Sequence, residues 1–176
     1  MYRTGYLALA VCALALFPGC NLLAWLDLPA PPFDATGTHA GTWSVTLPGV
    51  DEEISCSVKF SLEQDTEAIV PEDFHVRGTA QLNFLCGNVL EQLQGYGLPG
   101  AITLELDGLM TPAGQLLLGS PGTAQKNSMQ LGIDGTGEDA GGDGAMDMFD
   151  GSFLLSIAYP EYPPVAVAGS FMTDRE

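Results

Sequence analysis

The chain has 176 residues, with 22 acidic side chains against five basic ones and a net charge of −17. That balance excludes recognition of nucleic acid or of an anionic lipid surface through charge, because both carry the same sign. The length accommodates one domain of ordinary size behind an N-terminal extension.

The extension comes first. Residues 1–5 carry Arg3 and the α-amino group, residues 6–17 are apolar and uncharged, and small residues lead to Cys20. A helix needs about 20 apolar residues to cross the hydrocarbon core. The run is therefore too short to span and matches the apolar region of a signal peptide. Leu16-Phe17-Pro18-Gly19-Cys20 resembles the lipobox of bacterial lipoprotein precursors. The resemblance implies removal of residues 1–19 and acylation of Cys20, with Gly19 as the small residue before the cleavage point. Phe17 and Pro18 depart from the usual Leu and small residue, and an ordinary secretory signal is the fallback. Asn21, where inner-membrane members have Asp, implies an outer-membrane address reached through the general secretory route. A single acyl chain holds a protein only marginally, so the multiple chains of a lipoprotein are what make such an anchor stable.

Residues 20–40 read as the lipidated Cys and a flexible tether, since Pro29, Pro31 and Pro32 oppose helix and remove backbone donors. Trp25, Leu22 and Leu23 would sit at the lipid interface or against the domain. Residues 41–176 read as one β domain. Alternation of apolar and polar side chains marks half-buried strands. It places Trp43, Val45 and Leu47 on one face of the first strand, Ile54, Cys56, Val58, Phe60 and Leu62 on the second, and Phe74, Val76, Ala80, Leu82, Phe84 and Cys86 on the third. Further strands are expected near 101–107, 114–119, 124–133, 152–159 and 165–173, separated by Pro-Gly turn signals. Only residues 87–97 could form a short helix. About eight antiparallel strands follow, either a β-barrel or a β-sandwich.

Once Cys12 and Cys20 are set aside, Cys56 and Cys86 form an even pair for an oxidising compartment and are expected to make a disulfide. Two separate buried thiols are the alternative. Gly41-Thr42-Trp43 on the first strand, with Arg175 after the last, is similar to the calycins, eight-stranded up-and-down barrels that include lipocalins and avidin-like proteins. The resemblance implies that Arg175 packs over Trp43 to close the barrel. It also implies a carrier of a small apolar ligand, with Val58, Phe60, Val76, Leu82, Phe84, Leu104 and Leu106 lining a cavity.

Catalytic signals are scarce, and the chain reads as a non-enzymatic binding or structural domain. No Gly-x-Ser-x-Gly elbow and no phosphate-binding Gly-Lys loop is present. His39 falls in the tether and His75 on a polar strand face. Glu105 and Asp107 share one polar face, an arrangement that two glycosidase carboxylates could use and that a strongly acidic surface also produces. The stretch 134–150 is rich in Gly and acid. Asp139, Asp143, Asp147 and Asp150 are the oxygen donors it could offer to Ca²⁺, although their spacing fits neither an EF-hand nor stacked nonapeptides. The alternative is a long solvated loop of poor order.

Overall fold

The computed structural model describes residues 30–46, 53–65, 74–86, 100–121, 128–158 and 164–176. The expected signal segment, Cys20, the start of the tether and the helix expected at 87–97 lie outside them. Eight strands run through the described residues: β1 (Gly37–Thr46), β2 (Glu53–Gln64), β3 (Phe74–Asn83), β4 (Ala101–Met110), β5 (Gln115–Gly119), β6 (Ser128–Glu138), β7 (Met148–Ala158) and β8 (Val165–Arg175). Each pairs antiparallel with the next, and β8 pairs with β1, so the meander closes into a barrel. The choice between barrel and sandwich thus falls to the barrel, in the up-and-down order that the calycin resemblance implies.

Alternation explains why these residues form these strands. Along all twelve residues of β2, Ile54, Cys56, Val58, Phe60, Leu62 and Gln64 point inward while Glu53, Ser55, Ser57, Lys59, Ser61 and Glu63 face water. A single slip of register would expose the whole apolar set, so pairing is strongly specified. Apolar side chains fill the barrel, where a membrane-spanning barrel has a polar lumen.

The interior is a packed core. Trp43 meets Phe84 and Phe153 edge to face with ring centroids 5.4 Å apart in both pairs. Phe60, Phe149 and Phe171 form a second cluster at 4.7–5.3 Å. Between Trp43, Phe60 and Phe153 a gap of about 10 Å³ remains, barely enough for one water. Eight strands enclose a space that side chains can just fill, and here they fill it.

Several strands run further than alternation of hydropathy suggested. The first begins at Gly37 instead of 41, so the end of the supposed tether is barrel wall. The acidic stretch 134–150 is about half strand: β6 continues to Glu138, β7 starts at Met148, and 139–147 connect them. The inward positions there are Gly135 and Gly137, which carry no hydropathy signal. They are glycines because the space is taken: a Cβ on Gly135 would lie 2.6 Å from the Phe149 ring.

Candidate functional site

One end of the barrel is covered by a strap. Residues 33–36 cross it, with Phe33 and Ala35 buried. Asp34 forms a parallel bridge with Ala145; its N–H donates to the Gly144 carbonyl at 2.7 Å, and the Met146 N–H donates to the Asp34 carbonyl at 2.9 Å. Gln64, at the inward end of β2, accepts from the Ala35 N–H at 2.8 Å, and its own N–H donates to Thr36 Oγ1 at 3.0 Å. The Phe33 ring sits over Gly114 and Gly137, where a Cβ on Gly114 would come within 3.0 Å of it. A flexible tether was expected here. The strap is ordered because its apolar residues have a barrel mouth to fill and its amides have partners.

Beneath the strap lies His39, placed in the tether by sequence and in fact 0% exposed inside the barrel. Neither ring nitrogen has a hydrogen-bond partner among the described residues. Its strand partner on β8 is Arg175. Burial lowers the imidazole pKa below its usual 6.5; Arg175 lowers it further, and Asp147 opposes both. His39 is therefore a neutral ring at pH 7; Gln64 Nε2 is the other buried side-chain nitrogen without a hydrogen-bond partner among the described residues.

Beside the strap, Asp139, Asp143 and Asp147 converge, with one carboxylate oxygen from each lying within 4.8 Å of the others. Asp150 does not join them; it is exposed on β7, between Thr136 and Met172 in register. The converging acids organise their own loop. Asp139 accepts from the N–H groups of Gly142, Asp143 and Gly144 at 2.6, 3.1 and 2.8 Å. Asp147 accepts from Gly141 at 2.6 Å and Asp143 from Ala145 at 3.0 Å. Gly142 and Gly144 take positive φ, 70° and 84°, which lets the backbone curl around the carboxylates. Residues 139–147 thus form defined turns in place of a loop of poor order. Three of the four expected donors could reach one cation, but oxygens that Ca²⁺ would need already serve backbone amides.

The opposite end is held covalently. Cys56 and Cys86 form a disulfide with Cα atoms 5.4 Å apart. The Trp43 indole N–H donates to the Asn83 carbonyl at 3.2 Å. The structure does not bring Trp43 and Arg175 together: Trp43 is opposite Phe171, and Arg175 is opposite His39, four residues along β1. At about 3.4 Å per residue, that separation exceeds what the guanidinium spans. Aromatic edges occupy the indole instead.

The outer surface carries two kinds of face. On β2–β4, His75 and Asp107 pair at 2.6 Å and Arg77 pairs with Glu63 at 3.3 Å, all exposed, with Glu105 nearby. Asp107 is engaged by His75, and both sit on open surface. On β5–β8, Leu117 and Leu154 are 47% and 51% exposed and border a shallow groove floored by Gly132 and Ala168. Sequence reading missed this groove and His39 alike. The signal for the groove was present as outward Leu117 and Leu154, breaks in an otherwise regular alternation.

No protein-family model matches this sequence, and no curated protein is significantly similar to it.

Proposed function

We propose that the chain is an exported, lipid-anchored, non-enzymatic domain of the cell envelope that binds its partner through the outside of the barrel. The observation that carries this reading is the filled interior. The residues expected to line a carrier's cavity, Val58, Phe60, Val76, Leu82, Phe84 and Leu106, are buried against one another, with Leu104 packed beside them. A drug-sized ligand needs some 300 Å³ or more, against a gap of about 10 Å³. The disulfide suits an oxidising compartment, in keeping with an export signal at residues 1–19 and an acylated Cys20. The net charge of −17 keeps such a domain from clinging to anionic surfaces.

Native and denaturing mass spectrometry of the exported protein tests the mode of binding. The same mass under both conditions, covalent lipid included, and two mass units below the reduced value at the disulfide, agrees with the proposal. An apolar mass lost on denaturation supports the carrier reading instead. Clickable fatty-acid labelling tests the anchor: it should disappear in Cys20→Ser, and persistent labelling rejects it.

The convergence of Asp139, Asp143 and Asp147 favours one second reading, a calcium-dependent module. Ligand at a hundred times its Kd stabilises by about 2.7 kcal/mol. A Tm that rises by several degrees with calcium and returns with EDTA would adopt that reading, and an unchanged Tm would retire it.

A further inference from the structure

We propose that the strap, residues 33–36, is an acid-operated latch: a proton taken up by His39 frees it from the mouth of the barrel. His39 is fully buried, and neither ring nitrogen has a hydrogen-bond partner among the described residues. A neutral imidazole in that position leaves two polar atoms unmet. An imidazolium would need acceptors for two N–H groups and a counterion, because an unpaired buried charge is far more costly than an unpaired dipole.

The surroundings are poor in both. β2 presents Phe60 opposite His39 and Leu62 opposite Gly37, and then Gln64, whose Oε1 already accepts from the Ala35 N–H. β8 presents Thr173, whose hydroxyl donates to the Phe149 carbonyl, and Arg175. His39 Nε2 and Arg175 Nε both lie within 3.5 Å of the point where a Cβ on Gly37 would sit. A proton on His39 therefore places a second cation beside the guanidinium. The 139–147 loop supplies the one attracting carboxylate, Asp147, which already accepts from the Gly141 N–H. Asp34 on the strap is exposed and accepts from the Thr36 N–H. Lys59 and Glu176 pair with each other on the outer face. Burial and Arg175 outweigh Asp147 and hold the imidazole pKa below its usual 6.5.

The strap is the part that can yield. Every barrel strand is paired on both sides. The strap is held by the bridge from Asp34 to residues 144–146, by Gln64 and by the burial of Phe33 and Ala35. Segments with few backbone bonds open locally, below the free energy of global unfolding. Gly37, beside which both cations would stand, is the residue where the strap joins β1. Lifting the strap there admits water to the ring while the barrel stays closed. With the strap lifted, His39 titrates near its ordinary pKa. Acid therefore favours the open form below pH 6.5, and the closed form is fully favoured above it. Opening bares Phe33 and the rim at Gly114 and Gly137 that its ring covers, so the mouth is sealed at neutral pH and apolar in acid.

The test is amide exchange of the full chain at pH 7 and pH 5, compared as protection factors so that the intrinsic pH dependence cancels. The amides of Asp34, Ala35 and Met146, which close the strap, should be less protected than those of β2 and β3 at both values. Their protection should be about tenfold lower at pH 5 than at pH 7. His39→Leu should remove the fall. Arg175→Gln changes an exposed side chain and serves independently: it relieves the repulsion and should make the fall smaller. Strap amides as well protected as β2 and β3 would show that the mouth opens only by unfolding, and would overturn the proposal. So would protection that does not change with pH, a fall that survives His39→Leu and so belongs to the carboxylates of 139–147, or a fall that Arg175→Gln leaves as large.

Discussion

The two ends of this barrel are closed by different chemistry. At one end a disulfide and a stack of aromatic edges around Trp43 hold the strands, with one indole hydrogen bond to Asn83. At the other a strap, a loop curled around carboxylates and a buried imidazole do so, mostly through hydrogen bonds. Apolar and covalent closure tolerates changes of pH and salt. The other end holds the desolvated His39, whose pKa burial lowers, so its closure responds to pH. The difference teaches that acid acts on one end of the barrel, through His39, and leaves the disulfide end untouched.

The comparison is broken most severely by Trp43→Ala. It removes the 1% exposed indole from between Phe84 and Phe153 and should cost about 3–5 kcal/mol, read as a lower urea midpoint. Next is Cys86→Ser. Cys86 is only partly buried, so the substitution strands little polar surface and mainly releases the cross-link across 30 residues. It should cost about 2–4 kcal/mol, with amide exchange accelerating at the Trp43 end and little at the strap.

Asp139→Ala acts on the opposite end. It removes the acceptor of three N–H groups on exposed surface and should cost about 1–2 kcal/mol. Exchange should accelerate at residues 141–146 and in the strap strand bridged to them, while the disulfide end stays protected. Protection lost equally at both ends would show that the two closures are one cooperative unit.

The smallest effect is a pH dependence. His39 has a folded pKa below 6.5, lowered first by burial and then by Arg175. The unfolded chain binds the proton more readily, so the folded state is favoured fully above pH 6.5 and loses stability as pH falls below it. The Tm difference between His39→Leu and the parent chain should therefore widen in the variant's favour between pH 7 and 5. A difference constant across that range would mean that His39 takes its proton in the folded barrel as easily as in water.

How much of this was legible in sequence follows from what each side chain signals. Strands whose inward residues are Val, Ile, Leu and Phe, such as β2, stood out by period two. The disulfide was readable because both cysteines fell on apolar faces. β6 and β7 were cut short because Gly135, Gly137 and Gly151 are inward positions without a side chain, beside outward Asp134, Glu138 and Asp150. His39 read as tether because its inward neighbours, Gly37 and Gly41, are also silent; Gly41 is required where Thr173 on β8 comes within 2.7 Å of its absent Cβ. The Trp43–Arg175 pair failed on register, which hydropathy does not encode. The convergence of Asp139, Asp143 and Asp147 depends on turns at Gly142 and Gly144, and spacing in the chain does not reveal it.

The most direct measurement of the central point, that the interior is core and not cavity, is a titration with a fluorescent fatty acid. Trp43 lies inside the barrel and would transfer energy to any ligand there. The account predicts no saturable transfer from Trp43, with any weak binding abolished by Gly132→Glu on the outer face. Saturable one-to-one transfer that survives Gly132→Glu and disappears in Trp43→Phe would contradict it and make the barrel a carrier.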